Sequence, residues 1–542
     1  MVSPELRAAE REIDKVPLRN ALVEQPFSQA AWRFMAANEE RVIREIVKAD
    51  QTGTSKHDQY YAALFDSIVV STKWPMRWLL AECRAGDKIP QEFDDDGYVA
   101  AQQLSDLGQD YSHFEAAFTY ASIGVLTLAL EDRSIHASDE FRRGTRYDAY
   151  DRLRQSRMLD TPLDSVDKVI SALGPTVRFK NQWFFYDTGP RLTAMALEAL
   201  SSLIDSRFGL PDEWVFGRFS LNDFRSVARV LWTLAYLHFN ARVIAARQGC
   251  VGMGYGRALY VTTKRELVAT LREHTGLTRD AVGSIVDTLT LGRHDQRSPD
   301  PALQPLIPLT SRHLAIAPNL VLNSALERNL AVLLNRLPEE KALYATLSKD
   351  REAMSRQRVT RLLDDLGYRY WFGELSEWGA AAEIDLAIVS DTERRCLALE
   401  MKAFIGPADP REVHERSLEI ERGIEQATLR RSKARDLPGP LRGALGIDDT
   451  YDVTWAVASE TSIGAPYVQS DDMPVVQTRH ILDKLGAEHR LAPVCEWLNK
   501  SEHLPVEGTH YAAVDFTARV GEVESSVVRN TRSGRGLRVR IR

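Results

Sequence analysis

Cysteine is scarce in this chain, and the four present, Cys83, Cys250, Cys396 and Cys495, lie far apart in 542 residues. That spacing excludes a CxxC zinc knuckle and a dense disulfide framework, and it predicts a reducing, cytoplasmic home. Long apolar runs are missing too. The longest, 118–130 and 230–239, are broken by Thr, Ser, Tyr or His and fall short of the roughly 20 residues that span a bilayer. No membrane partner is expected. The opening residues MVSPELRAAEREIDKV carry both signs of charge and no apolar stretch, so they do not read as a secretory signal. The patterns GxxxxGK[ST] and HExxH are absent, which excludes a P-loop ATP motor and a zincin-type hydrolase. Positive charge is not in excess either. With 69 basic and 76 acidic residues the net charge is -7, so any grip on a polyanion must come from local patches.

What is present is a globular composition, 44% hydrophobic and 27% charged, in a chain long enough for several domains. Residues 1–250 read as a helical domain, because apolar side chains recur at helical spacing. Ser28 is a candidate N-cap for a helix burying Trp32, Met35, Val42, Ile43 and Ile46. Gly189-Pro190 opens another helix, and a third, over 224–247, is apolar almost all round and therefore central. Gly252, Gly254 and Gly256 imitate a dinucleotide loop but follow a helix instead of a strand, so they read as a joint.

In residues 251–336 two helices flank Thr275-Gly276-Leu277-Thr278, and the run LIPLTSRHLAIAP can supply two strands after them. This is either a winged helix or a linking helical hairpin. In the first case Thr278, Arg279 and Ser284, at the start of the second helix, would meet nucleic acid. Residues 337–500 alternate helix and strand, with YRYWFGEL, EIDLAIVS and CLALEMKAF preceding a charged helix over 411–434, then VTWAVAS. That order predicts a separate α/β domain. Residues 501–542 form a β-rich extension whose tail carries Arg529, Arg532, Arg535, Arg538, Arg540 and Arg542 without a carboxylate. Arg538 and Arg540 alternate with apolar residues, as in an edge strand gripping phosphates or a charged end that aids solubility.

The chemistry concentrates at Asp385 and at Glu400-Met401-Lys402. On a strand, Glu400 and Lys402 share one face. Asp385, set among Ile384, Leu386, Ile388 and Val389, needs a partner or a metal to be buried there. Two such acids on adjacent strands can meet at one hard cation with water left in its shell, which suits Mg2+. Lys402 is also the only lysine between Lys349 and Lys433 in an arginine-rich stretch. A compact ammonium can stand beside a water and stabilise the hydroxide it forms, which a planar guanidinium does less well.

Asp385 followed by Glu400-Met401-Lys402 resembles the active-site motif of the PD-(D/E)XK nuclease superfamily, the restriction-endonuclease-like enzymes, with Ile384 standing where the name-giving Pro would be. The resemblance covers residues 337–500 alone. It implies a multidomain α plus α/β protein whose C-terminal domain is restriction-endonuclease-like, with a mixed central sheet. It implies Mg2+, or Mn2+ in its place, held by Asp385, Glu400 and the Met401 carbonyl, with Lys402 activating water. It also points to Glu352 on the preceding helix and Gln426 on the following one as further site residues. Glu383 would share the strand face of Asp385. Arg422 and Arg430, on a stripe with Gln426, are candidate phosphate contacts. The expected function is a metal-dependent endonuclease acting on DNA in preference to RNA. A homodimer is expected for duplex cleavage, and a partner protein at residues 1–250; a role in bacterial antiviral defence rests on analogy alone. The rival is a non-catalytic nucleic-acid-binding or assembly protein that keeps a nuclease-like scaffold.

Overall fold

The computed structural model describes residues 3–532 except 53–57, 91–94, 138–144, 157–163, 181–182, 206, 211, 251–256, 294–298, 349–350, 382 and 408. Helices dominate the first half. In chain order these are α1 (Pro4–Lys15), α2 (Phe27–Thr52), α3 (Asp58–Glu82) and α4 (Asp95–Ser122), then the hairpin β1 (Leu128–Glu131) and β2 (Ser134–Ala137), then α5 (Thr145–Ser156). After α6 (Asp164–Leu173) come the hairpin β3 (Arg178–Lys180) and β4 (Trp183–Phe185), α7 (Pro190–Asp205) and α8 (Leu221–Arg247). Ser220 and Asp223 form a reciprocal capping box at the start of α8, which is buried on nearly every side, as its uninterrupted apolar character demands. Ser28 does not cap α2. Its hydroxyl lies inside the helix and donates to the Lys88 carbonyl at 2.7 Å.

In the middle of the chain the two expected helices flank the Gly276 turn, and two short strands follow them. β5 (Tyr260–Thr263) leads to α9 (Lys264–Thr275) and α10 (Arg279–Thr288), then β6 (Leu306–Pro308) and β7 (His313–Ile316). Thr263 and Thr278 cap the two helices, and Gly276 closes α9 at φ 70°, a conformation that favours glycine. The three strands form an antiparallel sheet in the order β5-β7-β6. Three helices follow: α11 (Pro318–Asn323), α12 (Leu326–Arg336) and α13 (Pro338–Ser348).

The remainder contains α14 (Arg351–Asp365), β8 (Arg369–Glu374), β9 (Glu383–Ser390), β10 (Arg395–Lys402), α15 (Pro410–Asp436), α16 (Gly439–Leu445) and β11 (Asp452–Ser459). It closes with β12 (Val475–Gln477), α17 (Thr478–Glu488), α18 (Leu491–Asn499), β13 (Tyr511–Val520) and β14 (Val523–Arg532). Helix, three strands, helix, strand is thus realised, around a five-stranded mixed sheet in the order β12-β11-β10-β9-β8. The chain is mostly helical, with small mixed and antiparallel sheets, and combines all-α and α/β regions. No helix among the described residues is long and apolar enough to cross a membrane.

The cores do not respect the linear boundaries that the sequence suggests. Helix α5, inside the expected helical domain, contributes Tyr147 and Tyr150 to the core of the five-stranded sheet. Tyr150 Oη accepts from the Gln477 backbone N–H at 3.0 Å and meets His480 Nδ1 at 2.9 Å. Asp151 accepts from Ser462 Oγ, the Ile463 N–H and Gln477 Nε2 at 2.6, 3.2 and 3.1 Å. At the next boundary, Leu337 and Tyr344 pack with α7, α8 and α12, so α13 belongs to the middle of the molecule and not to the α/β unit. The extension from 501 is no independent appendage: β13 and β14 join β1 and β2 in one sheet, and Ala518 and Val520 pack on Leu6, Ile13, Phe114 and Phe118. The tail expectation therefore divides. Residues 527–532 belong to β14, while Arg538 and Arg540 lie outside the described residues, as does the joint at Gly252, Gly254 and Gly256.

Two measurements test this interleaving. Truncation after residue 532 should leave the melting temperature unchanged, whereas truncation after 521 removes β14, the strand that joins β13 to β2, and should lower it by several degrees. Burial pushes the Asp151 carboxyl up to about 7. A carboxyl raised on folding favours its protonated form, so stability present near pH 4 is lost progressively as the pH rises through about 7. Asp151→Asn should flatten the decline in melting temperature between pH 5 and pH 8, and equal slopes for the two proteins would exclude this role.

Candidate active site

Strands β9 and β10 form an antiparallel hairpin, and β10 and β11 run parallel in register from Arg395↔Asp452 to Lys402↔Ser459. A parallel neighbour needs a crossover, and α15 supplies it, starting from Asp409, whose side chain accepts the N–H groups of Arg411 and Glu412 ahead of Pro410 and the first turn. One stripe of α15, Ser417, Ile420, Gly423, Ala427 and Arg430, is buried against the sheet. The α15 face and the C-terminal end of β10 therefore enclose the same small volume.

The described ladder between β9 and β10 runs from Arg395↔Ser390 to Leu399↔Leu386 and stops there. Continued by one step it would set Glu400 opposite Asp385, on one face of the sheet. Instead the strands part, and the Met401 N–H donates to Asp385 Oδ2 at 2.7 Å. Because a residue's N–H and C=O leave a strand on the same edge, the Met401 carbonyl faces this fork as well.

Glu400 is 3% exposed, and a buried carboxylate must be matched by charge. Its Oε1 accepts from Lys402 Nζ at 2.7 Å, and its Oε2 faces Arg430 Nη1. These last two atoms are sealed from water, and neither has another partner. Lys402 Nζ also donates to Gln426 Oε1 at 2.9 Å, so α15 and β10 are tied through the ammonium. Gly423 makes room for this. A Cβ there would lie 3.0 Å from Lys402 Cε and 3.3 Å from Val457 Cγ1. Burial pushes the Asp385 carboxyl above its ordinary range, against the opposing effects of the Met401 N–H, Arg430 and Lys402; the nearby Glu383 carboxylate adds to the rise.

The structure thus brings together Asp385, Glu400, Met401, Lys402 and Gln426. Arg430 requires correction: it is not on a solvent-facing stripe but buried, with Nη1 committed to Glu400 Oε2, so as it stands it is not an open phosphate contact. Arg422, one helical turn before Gln426, is exposed and keeps that option. Glu383 is exposed and pairs across the sheet with Glu374. Glu352 lies on α14, and its side chain is outside the described residues. Arg279 is exposed at the first position of α10, but Asp280 is beside it, and Asp287 on the same helix is bound by Lys264 at 2.6 Å.

Two carboxylates and a backbone carbonyl are hard oxygen donors, a set that fits Mg2+ with water completing its shell. Among the described residues no group of three or more His, Cys, Asp or Glu side chains gathers anywhere, so no all-protein cage of the kind Ca2+ or structural Zn2+ takes is present there. Comparisons with protein-family models, curated proteins and solved structures gave no match to this chain.

Gly423→Ala tests the packing. In an ordinary helix interior this change gains about 1 kcal/mol. Here the added methyl presses on Lys402 and Val457, so chemical denaturation should show no gain, or a loss. A full gain would mean that Lys402 does not need the space.

Proposed function

We infer that this chain is a metal-dependent endonuclease of the PD-(D/E)XK type, acting on DNA. The observation that carries this reading is the convergence of Asp385, Glu400, the Met401 backbone and Lys402 at the fork between two strands, with Gln426 reaching the same ammonium from the following helix. Residues chosen only by their spacing would not be expected to converge on one point.

The side chains then have distinct tasks. An ammonium has three N–H donors. Two on Lys402 are used by Glu400 and Gln426, which leaves a third that can orient an attacking water and stabilise the charge that develops on it. Gln426 holds the ammonium at the surface end, and exposed Arg422 is placed to meet a neighbouring phosphate. Asp385, Glu400 and the Met401 carbonyl would hold Mg2+, or Mn2+, which when bound supplies charge stabilisation to the phosphoryl and leaving oxygens. Cleavage of both strands of a duplex calls for two such sites, hence a homodimer.

The path β5-α9-α10-β6-β7, with β5 beside β7, is that of a winged helix, in support of the first alternative for this segment. Exposed Arg279 is offset by exposed Asp280 beside it, and half-buried Asp287 is spent on Lys264, which leaves α10 no net positive face for phosphate, so we assign it an architectural role within the enzyme. The rival reading, an inactive scaffold, is favoured by one observation: both Glu400 oxygens already face internal cations.

Incubation with supercoiled plasmid separates the two readings. Cleavage that depends on Mg2+ or Mn2+, and that falls at least about a hundredfold in Lys402→Ala when both proteins are assayed well below their melting temperatures, is the expected result. Intact plasmid at all metal concentrations, or equal turnover by the variant, would favour the scaffold. Asp385→Asn should weaken metal binding measured by calorimetry.

A further inference from the structure

The fourth charged group of the cluster has no place in the roles above. Asp385 and Glu400 contribute two negative charges, and Lys402 and Arg430 two positive ones, so the group is neutral as it stands. Arg430 is not a surface residue that happens to lean inward. It ends the buried α15 stripe of Ile420, Gly423 and Ala427, is itself 8% exposed, and spends Nη1 on Glu400 Oε2 with no other partner for either atom. A guanidinium in that position holds one of the two carboxylate oxygens that the proposed metal site needs.

Resting on the nuclease reading, we propose that Arg430 is a positioning residue that makes divalent-cation loading depend on substrate. Without nucleic acid, a dication approaching the fork meets a neutral group that already contains two cations, and it must displace Arg430 from Oε2. In a poorly screened interior both effects oppose binding. A phosphodiester brought to the same fork adds negative charge and offers displaced Arg430 an alternative acceptor. Metal and substrate therefore bind together, each raising the affinity of the other by the same factor, as linkage requires. A nuclease built this way stays poorly loaded away from its substrate.

The test is Mn2+ binding, followed by electron paramagnetic resonance of the free ion and by the melting temperature, on the full chain. A phosphorothioate duplex serves as the charged, slowly cleaved probe, and a methylphosphonate duplex of the same sequence as the neutral one. For the wild type the charged duplex should raise Mn2+ affinity about tenfold or more, within the usual range of coupling between sites, and the neutral duplex should not. Arg430→Met keeps an apolar stem on the buried stripe and removes one cation, so it should bind Mn2+ about tenfold more tightly without DNA and lose most of the coupling. Arg430→Lys keeps the charge and should retain weak loading; it also serves if the Met variant does not fold. Equal Mn2+ affinity of the wild type with and without the charged duplex overturns the proposal while leaving the nuclease reading intact if plasmid is still cut. Absence of Mn2+ binding in every arm, together with intact plasmid, overturns both.

Discussion

A carboxylate sealed inside a protein is tolerable only with its counter-charges in place, and the α/β unit is organised around one such group. Glu400 sits near the C-terminal end of a strand buried along most of its length, and its two cations come from two directions, Lys402 from its own strand and Arg430 from α15. Removing either cation would strand a buried charge, which ordinarily costs several kcal/mol. That requirement fixes how α15 lies on the sheet. It explains the glycine at 423, where the lysine stem passes, and it explains why a long helix rich in charge turns an arginine inward. The same constraint keeps the site's polar atoms preorganised.

The unit that carries this cluster is fastened to the rest of the molecule by further ion pairs. Glu412, in the first turn of α15, accepts from Arg328 at 2.5 Å and Arg336 at 3.3 Å, both on α12. Glu460, just beyond β11, takes Arg351 and Arg358 of α14, and its own N–H donates to the Lys402 carbonyl. Arg358 also reaches the Gly209 carbonyl in the middle of the molecule. The backbone beside Lys402 is therefore braced from the neighbouring core. Partly exposed pairs of this kind contribute little to stability individually, but as a connected set they restrict how far the two bodies can shift.

Much of the candidate site was legible in the sequence, because strand periodicity places Glu400 and Lys402 on one face and an isolated Asp in an apolar strand advertises a need for a partner. The convergence of Gln426 followed from its position on the next helix. Arg430 was misread for a physical reason: charged residues on a helix are usually solvated, and the stripe was traced through Gln426. The competing stripe, Ile420, Gly423, Ala427 and Arg430 at spacings of three, four and three, shows small and apolar residues leading to the arginine, and it carried the correct signal. Domain limits were the least legible. Local periodicity reports which face of an element is buried but not against what, so nothing around Tyr150 and Asp151 announced that α5 packs on a sheet assembled from residues more than two hundred positions later. The pairing of β14 with β2 was hidden in the same way.

That last pairing has a consequence for how the molecule is made. Glu524 lies opposite Ser134, so the sheet begun by the β1–β2 hairpin waits for a strand synthesised about 400 residues later, roughly 20–80 s at ordinary ribosomal speeds. Until then Leu6, Ile13, Phe114 and Phe118 have lost part of their cover to solvent, and the nascent amino-terminal region has an unpaired strand edge. Vectorial synthesis thus leaves a long interval in which a chaperone has an apolar face to hold. It also makes the amino-terminal body a reporter of completion, since a chain that stalls anywhere before β13 cannot close the sheet with which it began.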